Sequence, residues 1–225
     1  MLSDLEESAT TTEKTTQSRG ILFVVSSPSG GGKGTLIQRV LKKIPDLSYS
    51  VSFTTRAARS GEVNGREYFF VSHEKFEEMA AANEFLEWAN VHGKLYGTSS
   101  KQVFAEIADG RDIILEVDVQ GAASVRSLVP DSVSVFILPP SFEILKQRLQ
   151  SRGTDSPEEL EIRLRNAPGE LKDYSAYQYL ILNDDMDQAA EQLAAIVYAE
   201  RARLVRQEPK VRHVVQAFNS RGSVN

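Results

Sequence analysis

The sequence predicts an α/β protein on a five-stranded, mostly parallel sheet with helices on both faces. Three observations carry that expectation. Five short apolar runs alternate little between apolar and polar residues, as strands buried on both faces do. Segments with helical periodicity fall between them, the rhythm of strand–helix units. Between the first run and the first helical segment lies a glycine-rich turn, Ser27-Pro28-Ser29-Gly30-Gly31-Gly32-Lys33-Gly34-Thr35.

The predicted strands are Ile21–Val25, Tyr49–Phe53, Ile113–Val117, Val133–Leu138 and Tyr179–Leu182, several of them rich in β-branched residues. Leu36, Ile37, Val40, Leu41 and Ile44 share one face of a helix that Pro45 helps to end. Ser141 is placed to cap a helix holding Phe142, Leu145 and Leu149. Ser156-Pro157-Glu158-Glu159 combines a capping box with proline at the first helical position. Leu193, Ile196, Val197 and Leu204 line a long C-terminal helix. Residues 54–100 break the rhythm: two strands, Glu67–Val71 and Phe85–Val91, flank a short helix, His73–Ala82, so this stretch reads as an insert. Arg148 to Arg165 reads as a second, short and charged one.

Composition narrows the function. At 225 residues and 41% hydrophobic, the chain is long enough for a sizeable core. The net charge of −5 counts against a general nucleic-acid binder. The absence of cysteine excludes disulfides, thiolate zinc sites and cysteine nucleophiles, and fits a reducing compartment, here the cytoplasm. Three histidines lie far apart, which argues against a histidine-rich metal site. No apolar run approaches the roughly 20 residues needed to span a membrane. Residues 1–19 are acidic and rich in Ser and Thr, without a signal-peptide apolar region, and read as a disordered polar tail; residues 219–225 read as a flexible one.

The glycine turn carries the first chemistry. Glycines let backbone N–H groups curl inward, the following helix adds a partial positive charge, and Lys33 adds a full one; together they cradle a polyphosphate. Against the G-x-x-x-x-G-K-[ST] pattern, Ser27 replaces the first glycine and Gly34 the hydroxyl residue. Thr35 supplies a hydroxyl one residue later, so it is the candidate magnesium contact, directly or through water, with the ion held mainly by phosphates and water. Glu116 and Asp118 end an apolar strand and share a face by period two. They are placed to meet magnesium or a base edge, or to cap a helix. Arg56 and Arg59, beside Ser52, Thr54 and Thr55, form a second anion site, because guanidinium forks match phosphate oxygens. Tyr68 and Tyr96 offer phenolic donors.

From about Ile21 to Arg206 the sequence resembles guanylate kinases. The resemblance rests on Val51-Ser52-Phe53-Thr54-Thr55-Arg56 through Arg59, Gly61-Glu62, Asn64-Gly65 and Tyr68. It continues in Asn83-Glu84-Phe85-Leu86-Glu87-Trp88-Ala89, Tyr96-Gly97-Thr98, Glu116-Val117-Asp118-Val119-Gln120-Gly121 and Asn183-Asp184-Asp185. It implies the P-loop nucleoside monophosphate kinase fold, with a core of residues 20–53, 101–145 and 167–218, a GMP-binding insert of 54–100 and a lid of 146–166. It implies transfer of a phosphoryl group from ATP, with magnesium, to GMP and dGMP in purine nucleotide metabolism. Small molecules are then the partners, with no nucleic acid or membrane, and a homo-oligomer is left open.

The resemblance also distributes roles. Ser27 through Thr35 and Asn183 would hold ATP. Ser52, Arg56, Arg59, Tyr68 and Tyr96 would hold the GMP phosphate; Glu87, Thr98 and Asp118 would read guanine, with Glu116 grouped among the GMP-binding residues. Lys33, Arg56 and the lid arginines Arg148, Arg152 and Arg163 would act in catalysis. Guanine offers adjacent N–H donors that a two-oxygen carboxylate matches, whereas adenine presents an acceptor there. Pro168, which lacks an N–H for the carbonyl of Leu164, predicts a kink or break after the lid. Two rivals remain at this level: a kinase for another base, and a binding module without catalysis.

Overall fold

The computed structural model describes residues 19–153 and 156–221. Its central sheet is entirely parallel. It contains β1 (Leu22–Ser26), β2 (Ser48–Tyr49), β7 (Ile113–Glu116), β8 (Val133–Leu138) and β9 (Tyr179–Leu182), in the order β2-β7-β1-β8-β9. Period-two alternation sends Phe23 and Val25 of β1 into one buried cluster and Leu22 and Val24 into another. The first cluster packs against Leu36, Ile37 and Val40 of α1 (Lys33–Lys43) and Leu193 and Val197 of α7 (Met186–Arg201). The second packs against Val103 and Ile107 of α3 (Ser100–Ala108) and Val125 of α4 (Val119–Leu128). Both faces are covered, which is why these strands read as unbroken apolar runs. The chain reverses direction across the sheet at β1, flanked by β7 and β8, and a crevice opens at the carboxyl ends of these strands, where ligands of such sheets bind.

The insert forms its own sheet from β3 (Phe53–Thr54), β4 (Phe69–Phe70), β5 (Phe85–Val91) and β6 (Lys94–Ser99), ordered β4-β3-β6-β5, with α2 (His73–Ala81) beside it. Three expectations change here. The predicted strand Tyr49–Phe53 is split: Ser48 and Tyr49 pair with β7, but Phe53 and Thr54 pair with β4 and β6. The aromatic cluster explains the division, since Phe53 stacks on Phe69 at 4.8 Å and meets Phe85 at 5.8 Å. The insert also holds β6, which the sequence reading left out. Its hairpin with β5 turns through His92 and Gly93, both with positive φ (51° and 77°). Such a turn usually announces itself by Asn-Gly or Asp-Gly, and His-Gly gives a weaker sign. Observed β4 is also shorter than the predicted Glu67–Val71.

α5 (Phe142–Arg152) and α6 (Pro157–Glu170) start on the predicted caps. Ser141 accepts from the Ile144 N–H, and Ser156 and Glu159 form a reciprocal capping box. Pro168 does not break α6, which continues to Glu170. Only the final turn follows the proline, and Ala167, Leu160 and Leu164 are held against Leu145 and Leu149 of α5. The predicted single C-terminal helix is instead two. α7 ends at Arg201 and α8 (Leu204–Arg221) follows, with Leu204 78% exposed rather than on the buried stripe. Buried Glu200 marks the break, accepting from the Tyr179 hydroxyl at 2.6 Å and pairing with Arg203 and Arg206. Of the predicted tails, residues 219–221 belong to α8, while 1–18 and 222–225 lie outside the described residues.

Candidate active site

The glycine loop joins β1 to α1 at the mouth of the crevice. Gly31 N–H donates to the Pro28 carbonyl at 2.9 Å, and Gly32, the residue before α1, has φ 88°. A non-glycine residue there would be strained, and its Cβ would sit 2.6 Å from Asn183 Nδ2. Ser27, in the place of the first glycine, is not among the positive-φ residues, so its side chain brings no backbone strain. Gly34 has a local reason too: a Cβ would stand 3.2 Å from both carboxylate oxygens of Glu116. The hydroxyl of the common pattern would therefore press on an acid in this chain. Thr35 is exposed and lines the loop cavity with Gly30 to Gly34 and Arg148.

Acids and bases around the loop are paired. Lys33 Nζ lies 3.7 Å from Glu116 Oε1, and the Tyr49 hydroxyl donates to Glu116 Oε2 at 3.2 Å. Burial, and then the charge of Glu116, push the Tyr49 hydroxyl well above the usual tyrosine range. From α6, Arg163 Nη1 donates to Ser29 Oγ at 2.7 Å, and Glu170 accepts the Ser29 N–H at 2.8 Å. From α5, Arg148 Nη2 donates to the Asn183 carbonyl at 2.9 Å. Asn183 is fully buried, and its Nδ2 donates to the Gly31 carbonyl at 2.8 Å. Arg152 closes α5, but its side chain lies outside the described residues.

The second half of the site belongs to the insert. Arg56 makes a two-pronged pair with Glu62, both bonds 2.9 Å, and lies over the ring of Tyr68 at 5.2 Å. Glu62 also accepts the Arg59 N–H at 2.7 Å, and Arg56 first, then this N–H, hold its carboxyl below the usual range against the opposing effect of burial. Tyr68 and Tyr96 meet edge to face at 5.8 Å.

Glu87 is the buried acid of the insert, 8% exposed. A register shift between Phe85 and Glu87 lets two consecutive residues of β5 face inward: Leu86 packs on the central-sheet cluster, and Glu87 turns toward α4. Thr98 donates to Glu87 Oε1 at 2.5 Å. Burial raises the Glu87 carboxyl to about 7; the Thr98 hydrogen bond opposes the rise and Asp118 adds to it. Asp118 caps α4, accepting the Gly121 N–H at 2.8 Å. Gly121 makes the approach possible, since a Cβ there would be 2.4 Å from Glu87 Oε2.

One cavity joins the two halves. Ser27, Ser29, Gly30, Lys33, Ser52, Arg56, Arg59, Tyr68, Glu87, Tyr96, Glu116, Asp118 and Arg163 all line it. Lys33, Glu116 and Ser27 also line the loop cavity beside Arg148, so Glu116 stands at the junction. Pro28 lies in the loop turn, and Thr98 is fully buried behind Glu87. The sequence reading did not single out Glu62, Glu170 or Tyr49 for the site. Glu62 was detectable as an acid soon after Arg56 and Arg59; Glu170 and Tyr49 carry no local signal.

A parallel sheet whose first strand runs through a glycine–lysine loop into a helix, with a basic and acidic insert facing it, defines a P-loop kinase. The chain matches the family model described as guanylate kinase over residues 19–200. It is 49% identical over 183 residues to the guanylate kinase of Carboxydothermus hydrogenoformans, covering 81% of this chain and 90% of that one. With the guanylate kinase of Hahella chejuensis it shares 47% over 206 residues, 90% of this chain and 99% of that one. The crystal structure of guanylate kinase from Anaplasma phagocytophilum superposes with a TM-score of 0.72 at 34% identity, covering 84% of this chain and 90% of that one. The chain belongs to the guanylate kinase family.

Proposed function

We propose that this chain transfers the γ-phosphoryl group of ATP to GMP, and to dGMP, giving ADP and GDP or dGDP. The observation that carries the proposal is one cavity with the phosphate loop and Lys33 at one end and the buried Glu87–Thr98–Asp118 group at the other. The ionised Glu87 carboxylate accepts the paired N–H donors of guanine, and adenine would set an acceptor against it. A site that bonds polar groups in this way rejects the wrong partner by about 10⁴-fold or more. Arg56, Arg59, Ser52, Tyr68 and Tyr96 hold the acceptor phosphate, with Arg56 preset by Glu62.

In the reaction an oxygen of the GMP phosphate attacks the γ-phosphorus of ATP. The new P–O bond forms as the bond from that phosphorus to the bridging oxygen of ADP breaks. The attacking oxygen is already an anion, so no general base is required. Repulsion between the two anions is the obstacle. The loop N–H groups, Lys33, Arg148, Arg152 and Arg163 offset it, most where charge spreads in the transition state. Thr35 and Glu116, both lining the loop cavity, suit a magnesium ion that arrives with ATP and is held largely by phosphate and water. When bound, that ion neutralises phosphate charge. Residues 54–100 act as the acceptor-binding insert and 146–166 as the lid, closing over the core of residues 20–53, 101–145 and 167–218 and excluding water. No helix among the described residues is long and apolar enough to cross a membrane. As part of the same proposal, the reaction belongs to purine nucleotide metabolism in the cytoplasm.

A coupled ADP-release assay with GMP, dGMP, AMP, UMP and dTMP, with and without magnesium, tests this reading. Magnesium-dependent turnover of GMP and dGMP alone is expected. Equal turnover of AMP would overturn the guanine assignment. Absence of any acceptor-dependent ADP would favour a binding module.

A further inference from the structure

Asn183 has no exposed surface, yet its contacts run to the phosphate machinery. Nδ2 donates to the Gly31 carbonyl at 2.8 Å, and the main-chain carbonyl accepts Arg148 Nη2 at 2.9 Å. Its own N–H donates to the Leu138 carbonyl at 2.7 Å, which ties it to the end of β8. It thus connects a rigid strand end, the loop and a lid arginine. The trans peptide supplies the consequence: with the Gly31 carbonyl anchored on Asn183, the Gly32 N–H points the opposite way. Gly32 lines the loop cavity, and only a glycine fits against Asn183 Nδ2 there.

We propose that Asn183 is a positioning residue rather than a nucleobase contact: its side-chain amide fixes the phosphate loop, and its carbonyl aims Arg148 at the same phosphates. The inference rests on the donor-loop reading above and adds a consequence that an adenine contact lacks. Loss of the Asn183 amide weakens every polyphosphate ligand alike, whatever base it carries, and leaves the acceptor half untouched.

Calorimetric titration of ATP, UTP, inorganic tripolyphosphate and GMP into wild type, Asn183→Ala and Asn183→Leu tests it. Leucine has nearly the shape of asparagine and removes the donor without adding charge. Oδ1 has no hydrogen-bond partner, so its loss costs little, and this variant serves if alanine leaves a poorly folded protein. Affinity for ATP, UTP and tripolyphosphate is expected to fall by a common factor, about tenfold for one lost hydrogen bond, with GMP unchanged. A loss confined to ATP would overturn the inference in favour of an adenine contact. An equal loss for GMP would reduce Asn183 to a general packing residue, and unchanged binding of all four would remove the role. Failure of wild type to bind tripolyphosphate would overturn the donor-loop reading itself.

Discussion

Thr98 and Glu87 face each other across the β5–β6 hairpin, the threonine hydroxyl donating to the carboxyl at 2.5 Å in the buried end of the cavity. The hydroxyl is committed to a partner, so Thr98 holds the Glu87 carboxyl in the orientation that the proposed guanine contact uses. Asp118 adds a second negative charge nearby. This end of the cavity is therefore prearranged but electrostatically unfavourable, and under the proposed function the N–H donors of a bound guanine would relieve it.

That imbalance gives a pH dependence. Burial raises the Glu87 carboxyl to about 7, and GMP needs it ionised, so kcat/KM for GMP is expected to rise between pH 6 and 8 and then level. Stability runs the other way. A carboxyl raised in the folded state is protonated in both states at low pH, and the folded protein loses stability as pH climbs from the unfolded value toward about 7. Glu87→Gln should abolish both slopes, weaken GMP and raise the melting temperature above pH 7. Thermal scans and initial rates across pH check it; a Gln variant with the wild-type rate profile contradicts it.

Lys33 and Arg148 line the loop cavity from the loop and from α5, where the proposed mechanism sets the donor phosphates. Removing a charged donor from a transition state costs about 10²–10³ in rate. Lys33→Ala and Arg148→Ala are expected to lower kcat by that order while GMP binding changes little. Steady-state rates with a GMP titration decide, and near-normal turnover in both variants would remove the mechanism.

Glu62 holds both the Arg56 guanidinium and the Arg59 N–H. Glu62→Ala releases the guanidinium, which then pays ordering cost when GMP binds. KM for GMP should rise about tenfold, with KM for ATP unchanged. Measured KM values for the two substrates separate this from a general loss of fold.

Gly121 leaves no room for a side chain beside Glu87. Gly121→Ala forces the carboxyl away from its Thr98 partner, at a cost of about 1–3 kcal/mol for overpacking. GMP affinity should fall by about tenfold or more and ATP affinity hold. Calorimetry with each nucleotide checks this; unchanged GMP binding would show that Glu87 does not need its observed position.

Much of this protein is written in short stretches of its sequence. Glycines beside Lys33, ahead of an amphipathic helix, specify a phosphate loop, since turn geometry and helix starts depend on residues a few positions apart. The capping residues Ser141 and Ser156 are legible for the same reason, as are the buried strands. Tertiary packing decided the rest. Whether Tyr49 to Phe53 serves one sheet or two turns on the aromatic cluster of Phe53, Phe69 and Phe85, which local pattern cannot weigh. Glu170 reaches Ser29, Tyr49 reaches Glu116 and Asn183 reaches Gly31 only because helices and strands distant in sequence pack onto one crevice. Local preferences act along the chain; burial of shared apolar surface acts across it, and it sets which charged and polar groups end up facing one another.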